Sequence, residues 1–302
     1  MNRKKVGFIF PAFAMKFTGS HPQYQEEMDR LSSVASKLVP VDLKRFREMA
    51  SGIIEDELQA HYFCYINSGV VSTILKTQNI IPDYLAGYSM GLFSALFCSQ
   101  AVSFEEGLLL MHNYYNVALH SIDDKKYGVG IIVGLTTERV DRLIGEHCKN
   151  VDIIDVSNEH VINVSGFSDE VAGLLKIAAQ QALHTKMLPI TLPYHSRFME
   201  RAKEEMGGFL KDVKLETPAV PIVSCVNQKV LSTAQDLRDE LYCNVSDKIN
   251  WHKTMKKMLD LGVDLFVECG MSKSLTQLAK FIGGKYTAVN ISTLSRLSED
   301  QN

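Results

Sequence analysis

The sequence carries no excess of positive charge: 32 Lys and Arg stand against 35 Asp and Glu among 302 residues, a formal net charge of −3. A nucleic-acid ligand needs a basic face, so none is expected as a partner. There is no C-x-x-C pair and no Cys/His group at zinc spacing. The six cysteines (Cys64, Cys98, Cys148, Cys225, Cys243, Cys269) are scattered. No metal site is expected from them, and they read as reduced thiols in a cytoplasmic protein. Internal repeats and low-complexity tracts are missing too. At the N-terminus, "MNRKKVGFIFPAFAMKF" places basic residues before an apolar run, but Pro11 and Lys16 interrupt it and no small-residue cleavage site follows. It reads as a buried first strand rather than a leader, and no membrane partner is expected. What is present, 46% hydrophobic and 22% charged residues, is ordinary for a globular chain of enzyme size.

The order of segments carries more information. Val6 to Phe10 suits a central parallel strand buried on both faces. Helical spacing runs from Pro22 to Met49, and Glu55 to Gln78 carries a helix-compatible apolar stripe. "DYLAGYS" then supplies a strand, followed by helices over Met90–Ser99 and Phe104–His120. From Lys125 the texture changes to strand, helix, strand, strand, helix, strand over about 65 residues, the split pattern of a ferredoxin-like unit. Afterwards "PIVSCV", "VDLFVECG" and "YTAVNI" alternate as strands with helical segments. The expected fold is α/β: residues 1–124 and 190–302 form a large domain on a mostly parallel sheet, and residues 125–189 a small inserted domain.

Chemistry is concentrated in "AGYSMGLFSAL", where a glycine–X–serine–X–glycine element sits between a strand and a helix. Such an elbow lifts the serine hydroxyl above the sheet and turns the next amide, here that of Met90, toward a developing oxyanion. The motif alone is also what an ordinary glycine-rich turn looks like, so Ser89 stays open between the two. A serine nucleophile needs a base. Of nine histidines, His195 in "LPITLPYHSRFM" follows an extended apolar segment and precedes a helical stretch, a loop position where open α/β sheets place ligands.

Taken together, "GYSMGLFSALFCSQAVSFEEGL", "PYHSRFM", "DVSNEHVINVSG", "NWHKTM" and "LFVECGMSKSLTQL" resemble, in order and spacing, the motifs of malonyl-CoA:acyl carrier protein transacylases and polyketide synthase acyltransferase domains. The resemblance implies an α/β-hydrolase-like large domain with an inserted ferredoxin-like domain. It also implies a Ser89–His195 dyad working through an acyl-serine. A backbone carbonyl at Asp247 would orient the imidazole, and the amides of Met90 and Phe13 would form the oxyanion hole. The implied partners are an acyl carrier protein and acyl-CoA, and no cofactor is implied beyond the phosphopantetheine or CoA of the thioester substrate.

The departures from that pattern are informative. Where malonyl-using members carry a carboxylate-binding arginine, 25 residues after the nucleophile, this chain has Tyr114, and no Lys or Arg lies between Met90 and Ile122. An unpaired buried carboxylate is costly, so malonyl is expected to be a poor substrate and a neutral acyl group a better one. Tyr88 stands where histidine is common, and His160 roughly replaces a wall glutamine. Together with Tyr114 they are expected to reshape the acyl pocket, while Arg197 is expected to face solvent or a phosphate. Lys16, Arg197, Arg201 and Lys203 are expected carrier-protein contacts. Three functions stay open at this point: transfer of a non-malonyl acyl group between CoA or carrier thioesters in polyketide or fatty acid biosynthesis, hydrolysis of acyl groups from carriers, and non-catalytic carrier docking.

Overall fold

The computed structural model describes residues 3–12, 22–43, 56–270 and 272–293. Strand β1 (Lys5–Phe10) runs through the centre of a six-stranded sheet. Its side chains alternate between two cores: Phe8 and Phe10 enter one, Ile9 the other. β1 pairs in parallel with β2 (Tyr84–Gly87) on one side and β9 (Val263–Glu268) on the other. Beyond them lie β10 (Thr287–Asn290), parallel to β9, and the two-residue β7 (Ile222–Val223), parallel to β2. Only the edge strand β8 (Val230–Leu231) is antiparallel. "PIVSCV" thus yields a shorter strand than its apolar run suggests. Beyond Val223 the backbone is held by the Ser224 hydroxyl, which accepts from the amides of Val226 and Asn227 and turns the chain.

One face of the sheet is covered by α1 (Gln25–Leu38), α2 (Glu57–Thr77), α3 (Gly91–Cys98) and α4 (Phe104–Ser121), with α7 (Glu200–Phe209) and α8 (Ala234–Asn244) beside them. α2 starts where the Asp56 side chain accepts from the Gln59 amide. It is buried almost all round from Ala60 to Ser72 because α1, α3 and α4 all pack on it. It is therefore a central helix rather than the one-sided stripe its spacing suggests. α4 opens on a reciprocal capping box between Ser103 and Glu106. The other face is covered by α9 (Trp251–Asp260) and α10 (Ser274–Ala279). α10 begins on Glu268, whose buried carboxylate accepts from the amides of Leu275 and Thr276 and the hydroxyls of Ser272 and Thr276. The glutamate of "LFVECG" is thus a helix cap.

A second sheet is built wholly from residues 127–188: β3 (Tyr127–Val133), β4 (Val151–Asn158), β5 (Val161–Phe167) and β6 (His184–Leu188). Its order is β4-β5-β3-β6, all antiparallel. α5 (Thr137–His147) and α6 (Ser168–Ala178) cover one face and share a separate apolar core with it. This is the ferredoxin-like arrangement expected from the segment order. β4 joins the segment just before α9, where Asp155 bridges to Ile249 and the amide of Ile249 donates to the Ile154 carbonyl at 3.0 Å.

Candidate active site

Ser89 occupies the turn between β2 and α3 with φ +52°, a left-handed conformation for a residue with a side chain. The flanking glycines serve the elbow through space rather than through torsion, since neither has a positive φ. A Cβ on Gly87 would collide with the backbone of Gly91 and Leu92, and one on Gly91 with the carbonyl of Phe10. β1, β2 and α3 can meet this closely only if both positions are bare. The turn is locked by hydrogen bonds from the amide of Tyr88 to Phe10 (2.9 Å) and of Gly91 to Tyr88 (2.8 Å).

The hydroxyl of Ser89 lies 2.7 Å from Nε2 of His195. His195 too has a positive φ, +62°, and is pinned by its amide to the Val245 carbonyl at 2.9 Å. Strain of this kind costs about 1–3 kcal/mol per residue and persists only where neighbours enforce it. Asn79 and Gln100, also left-handed, simply follow the ends of α2 and α3. Ser89 and His195 terminate nothing and face each other. His195 is 5% exposed, and burial pushes its pKa down to about 4. The backbones of Asp247 and Asn244 pull the other way. They approach the ring without closing an aligned bond on Nδ1. The imidazole is therefore neutral at pH 7, the state that accepts a proton from a hydroxyl. No described residue accepts from the Met90 amide, which lies at the N-terminus of α3. Phe13 lies outside the described residues.

Above this pair is a cavity of about 90 Å³. Val129, Leu188, Ile190, Leu192 and Ile249 give it apolar walls; Tyr88, Asp155, Asn163, Glu57, His61 and Tyr194 border it too, and its surface is almost wholly apolar. Tyr88 stacks edge-on against Trp251 (centroids 5.5 Å) and donates to Asp155 at 2.7 Å. Asp155 also accepts from Asn163 at 2.9 Å and from Ser157. Burial raises the Asp155 pKa, and these donors oppose the rise. On the other side of His195 an open groove of about 670 Å³ is lined by Ser196, Arg197, Asp152 and Lys248.

Three residues singled out from the sequence are not at the cavity wall. Tyr114 is fully buried in the large core against Phe93, and its hydroxyl is committed to the Leu241 carbonyl at 3.0 Å. It neither narrows the cavity nor offers it a hydroxyl. His160 is exposed at the tip of the β4–β5 hairpin, its amide held by the Asn158 side chain. The hairpin turn carries it away from the site, and Asn163 on β5 reaches the cavity instead. Arg197 pairs with Asp152 at 3.3 Å and donates to the Lys149 carbonyl, so it edges the groove rather than the cavity. Of the expected carrier contacts, Arg201 pairs with Glu205 and Lys203 with Asp247, and Lys16 lies outside the described residues. Sequence reasoning missed Glu57, His61 and Tyr194, because they come from separate segments and carry no motif. Only Tyr194, next to the histidine, had a positional signal.

The site thus brings a strained serine at an elbow within 2.7 Å of a buried, neutral histidine beside an apolar cavity. The matching family model, "Acyl transferase domain", spans residues 69–280, and the chain belongs to that family. Among curated relatives, a polyketide biosynthesis malonyl CoA-acyl carrier protein transacylase of Bacillus subtilis is 26% identical, over 90% of this chain and 95% of its own. An acyl-carrier-protein S-malonyltransferase from Burkholderia pseudomallei superposes with a TM-score of 0.86 at 20% identity, covering 95% of this chain and 96% of that one. A malonyl-transacylase in complex with its type II polyketide synthase acyl carrier protein gives 0.85 at 20% identity, covering 95% and 96%. The protein is an acyltransferase enzyme. Among the described residues, no helix is long and apolar enough to cross a membrane.

Proposed function

We propose that this acyltransferase moves a neutral, non-malonyl acyl group between CoA and acyl carrier protein thioesters, through an ester on Ser89, in polyketide or fatty acid biosynthesis. The observation that carries the reading is the 2.7 Å contact between Ser89 Oγ and the buried, neutral His195. Nε2 takes the serine proton as Oγ attacks the thioester carbonyl. The oxyanion is met by the Met90 amide, with the Phe13 amide as its expected partner. The imidazolium, steadied by the Asp247 carbonyl, then protonates the departing thiolate. In the second half an acceptor pantetheine thiol gives its proton to His195 and attacks the Ser89 ester, which restores the hydroxyl. The open groove beside His195 has the shape for the pantetheine arm, and relatives named for carrier-protein substrates support an acyl carrier protein as partner.

Those relatives are named for malonyl groups, and the cavity of this chain argues for a neutral one. Among the described residues no lysine or arginine lines it, whereas Glu57 and Asp155 do. A malonyl carboxylate would be desolvated in an almost wholly apolar cavity, with only His61 and the neutral His195 as bases at its edge among the described residues. The test is intact-mass detection of acyl-Ser89 over a panel of acyl-CoA donors, with and without acceptor carrier. Neutral donors should load at least tenfold faster than malonyl-CoA, and Ser89→Ala should abolish loading, by at least about 10⁴-fold. Malonyl loading as fast as acetyl loading would overturn the neutral-acyl reading. Release at an undiminished rate without acceptor would replace transfer by hydrolysis.

A further inference from the structure

Two buried groups that the chemistry above leaves unused, Cys225 and Glu240, lie between the halves of the reacting pair. β7 runs parallel to β2 with Ile222 opposite Leu85, and the Leu85 amide donates to the Pro221 carbonyl at 3.0 Å. Continued past Val223, that ladder would carry the Cys225 amide to the Gly87 carbonyl. The chain instead turns at Ser224, and the Cys225 thiol takes the place of the missing amide, donating to Gly87 at 2.9 Å. The Ser89 backbone approaches the same sulfur and opposes the rise in thiol pKa that burial causes. One side chain thus grips the elbow two residues before Ser89 and at Ser89 itself, where φ is +52°. The freed Cys225 amide donates to the Glu240 carboxylate at 3.2 Å. Glu240 is 3% exposed in α8, one turn before Asn244, and the carbonyl of the next residue, Val245, accepts from the His195 amide at 2.9 Å. Burial lifts the Glu240 pKa to about 7, and the Ser224 hydroxyl with the Cys225 and Val226 amides opposes the rise.

We propose that Cys225 and Glu240 are positioning residues of the acyl transfer: a thiol on the serine elbow and a carboxylate on the helix that ends at the histidine together set the separation of Ser89 and His195. This rests on the acyl-Ser89 reading above and adds to it the device that holds the pair. Cys225 bonds toward both sides, its side chain to the end of β2 and its amide to α8. It is itself fixed by its carbonyl, which accepts from the Asn250 amide at 2.8 Å. Burial keeps the thiol protonated, the form that donates. As a nucleophile it would need exposure and a lowered pKa, and it has neither. Misplacing a reacting group by about 1 Å costs on the order of 10²-fold in rate, so slack in this link is felt in the chemical step.

The experiment follows acyl-Ser89 formation by intact mass from acetyl-CoA or malonyl-CoA, whichever loads wild type faster. Wild type is compared with Cys225→Ala, Cys225→Ser, Glu240→Gln, Glu240→Leu and Ser89→Ala. Cys225→Ser restores to Cys225→Ala a hydroxyl that can donate to Gly87, so the two separate the hydrogen bond from the packing of the sulfur. Cys225→Ala should lower the saturating rate about tenfold or more with the half-saturating concentration within about threefold of wild type, and Cys225→Ser should stay within about threefold on both. Glu240→Gln keeps an acceptor for the Cys225 amide and should load faster than Glu240→Leu, which leaves that amide unpaired. Wild-type loading by Cys225→Ala, a loss in Cys225→Ser as large as in Cys225→Ala, a loss confined to the half-saturating concentration, or equal loading by the two Glu240 variants overturns this inference. So does failure of Cys225→Ala or Glu240→Leu to fold, because the link then supports the sheet and not the reaction. Loading that survives Ser89→Ala overturns the acyl-Ser89 reading itself. Loading abolished in Ser89→Ala but unimpaired in Cys225→Ala leaves that reading standing and removes only this one.

Discussion

The two ends of the cavity are built on opposite terms. At the Ser89 end polar contacts dominate: Ser89 and His195 keep left-handed backbones and lie 2.7 Å apart through Oγ and Nε2, and Tyr88, Asp155, Asn163 and Ser157 form a buried network beside them, while His195 Nδ1 is left without an aligned partner. The rest of the cavity surface is almost wholly apolar, with Val129, Leu188, Ile190 and Leu192 among its walls. A reacting centre must be the same whatever is transferred, so it is fixed before any ligand enters.

That contrast can be broken at the elbow first. Gly91→Ala sets a methyl against the Phe10 carbonyl, a backbone atom no rotamer can move. It should destabilise the protein by roughly 3–5 kcal/mol and abolish acyl loading, as read by denaturant unfolding and intact mass. A methyl tolerated there without loss of either would mean that the elbow is not rigid. The next test is pH. Because burial holds the His195 pKa at about 4, below its ordinary 6.5, the base form survives mild acid. Loading at saturating acceptor-free conditions should therefore fall with a midpoint well under 6.5, toward 4. The same shift gives stability that is complete above 6.5 and lost as pH falls toward 4. An acid limb at 6.5 would show an exposed imidazole. The smallest effect belongs to Tyr114→Phe. Loss of the bond to Leu241 should lower stability by about 1 kcal/mol and leave donor selectivity unchanged. A changed selectivity would return Tyr114 to the cavity wall.

Much of this arrangement was legible before any coordinates. The apolar strand runs, the split strand–helix order and the "GYSMG" element each depend on neighbours in the chain, and each appears where the pattern places it. His195 could be singled out because its loop follows an extended segment. Tyr114 was harder. Its position in the chain matches a wall residue, but a neutral aromatic finds better burial against Phe93 than beside a cavity. His160 and Asn163 lie on one hairpin, and only the register of β5 decides which of them points inward.

By itself, then, the amino-acid sequence determined the elements, the two-sheet plan and the candidate serine and histidine, because these follow from short-range patterns and bare glycines at close crossings. The tertiary structure alone decided what lines the cavity beside them. Glu57 from the start of α2, Asp155 and Asn163 from the second sheet, and Tyr194 from the loop before α7 share one cavity only after the two sheets have docked. Which polar atoms go unpaired there depends on packing over distances that no local pattern encodes.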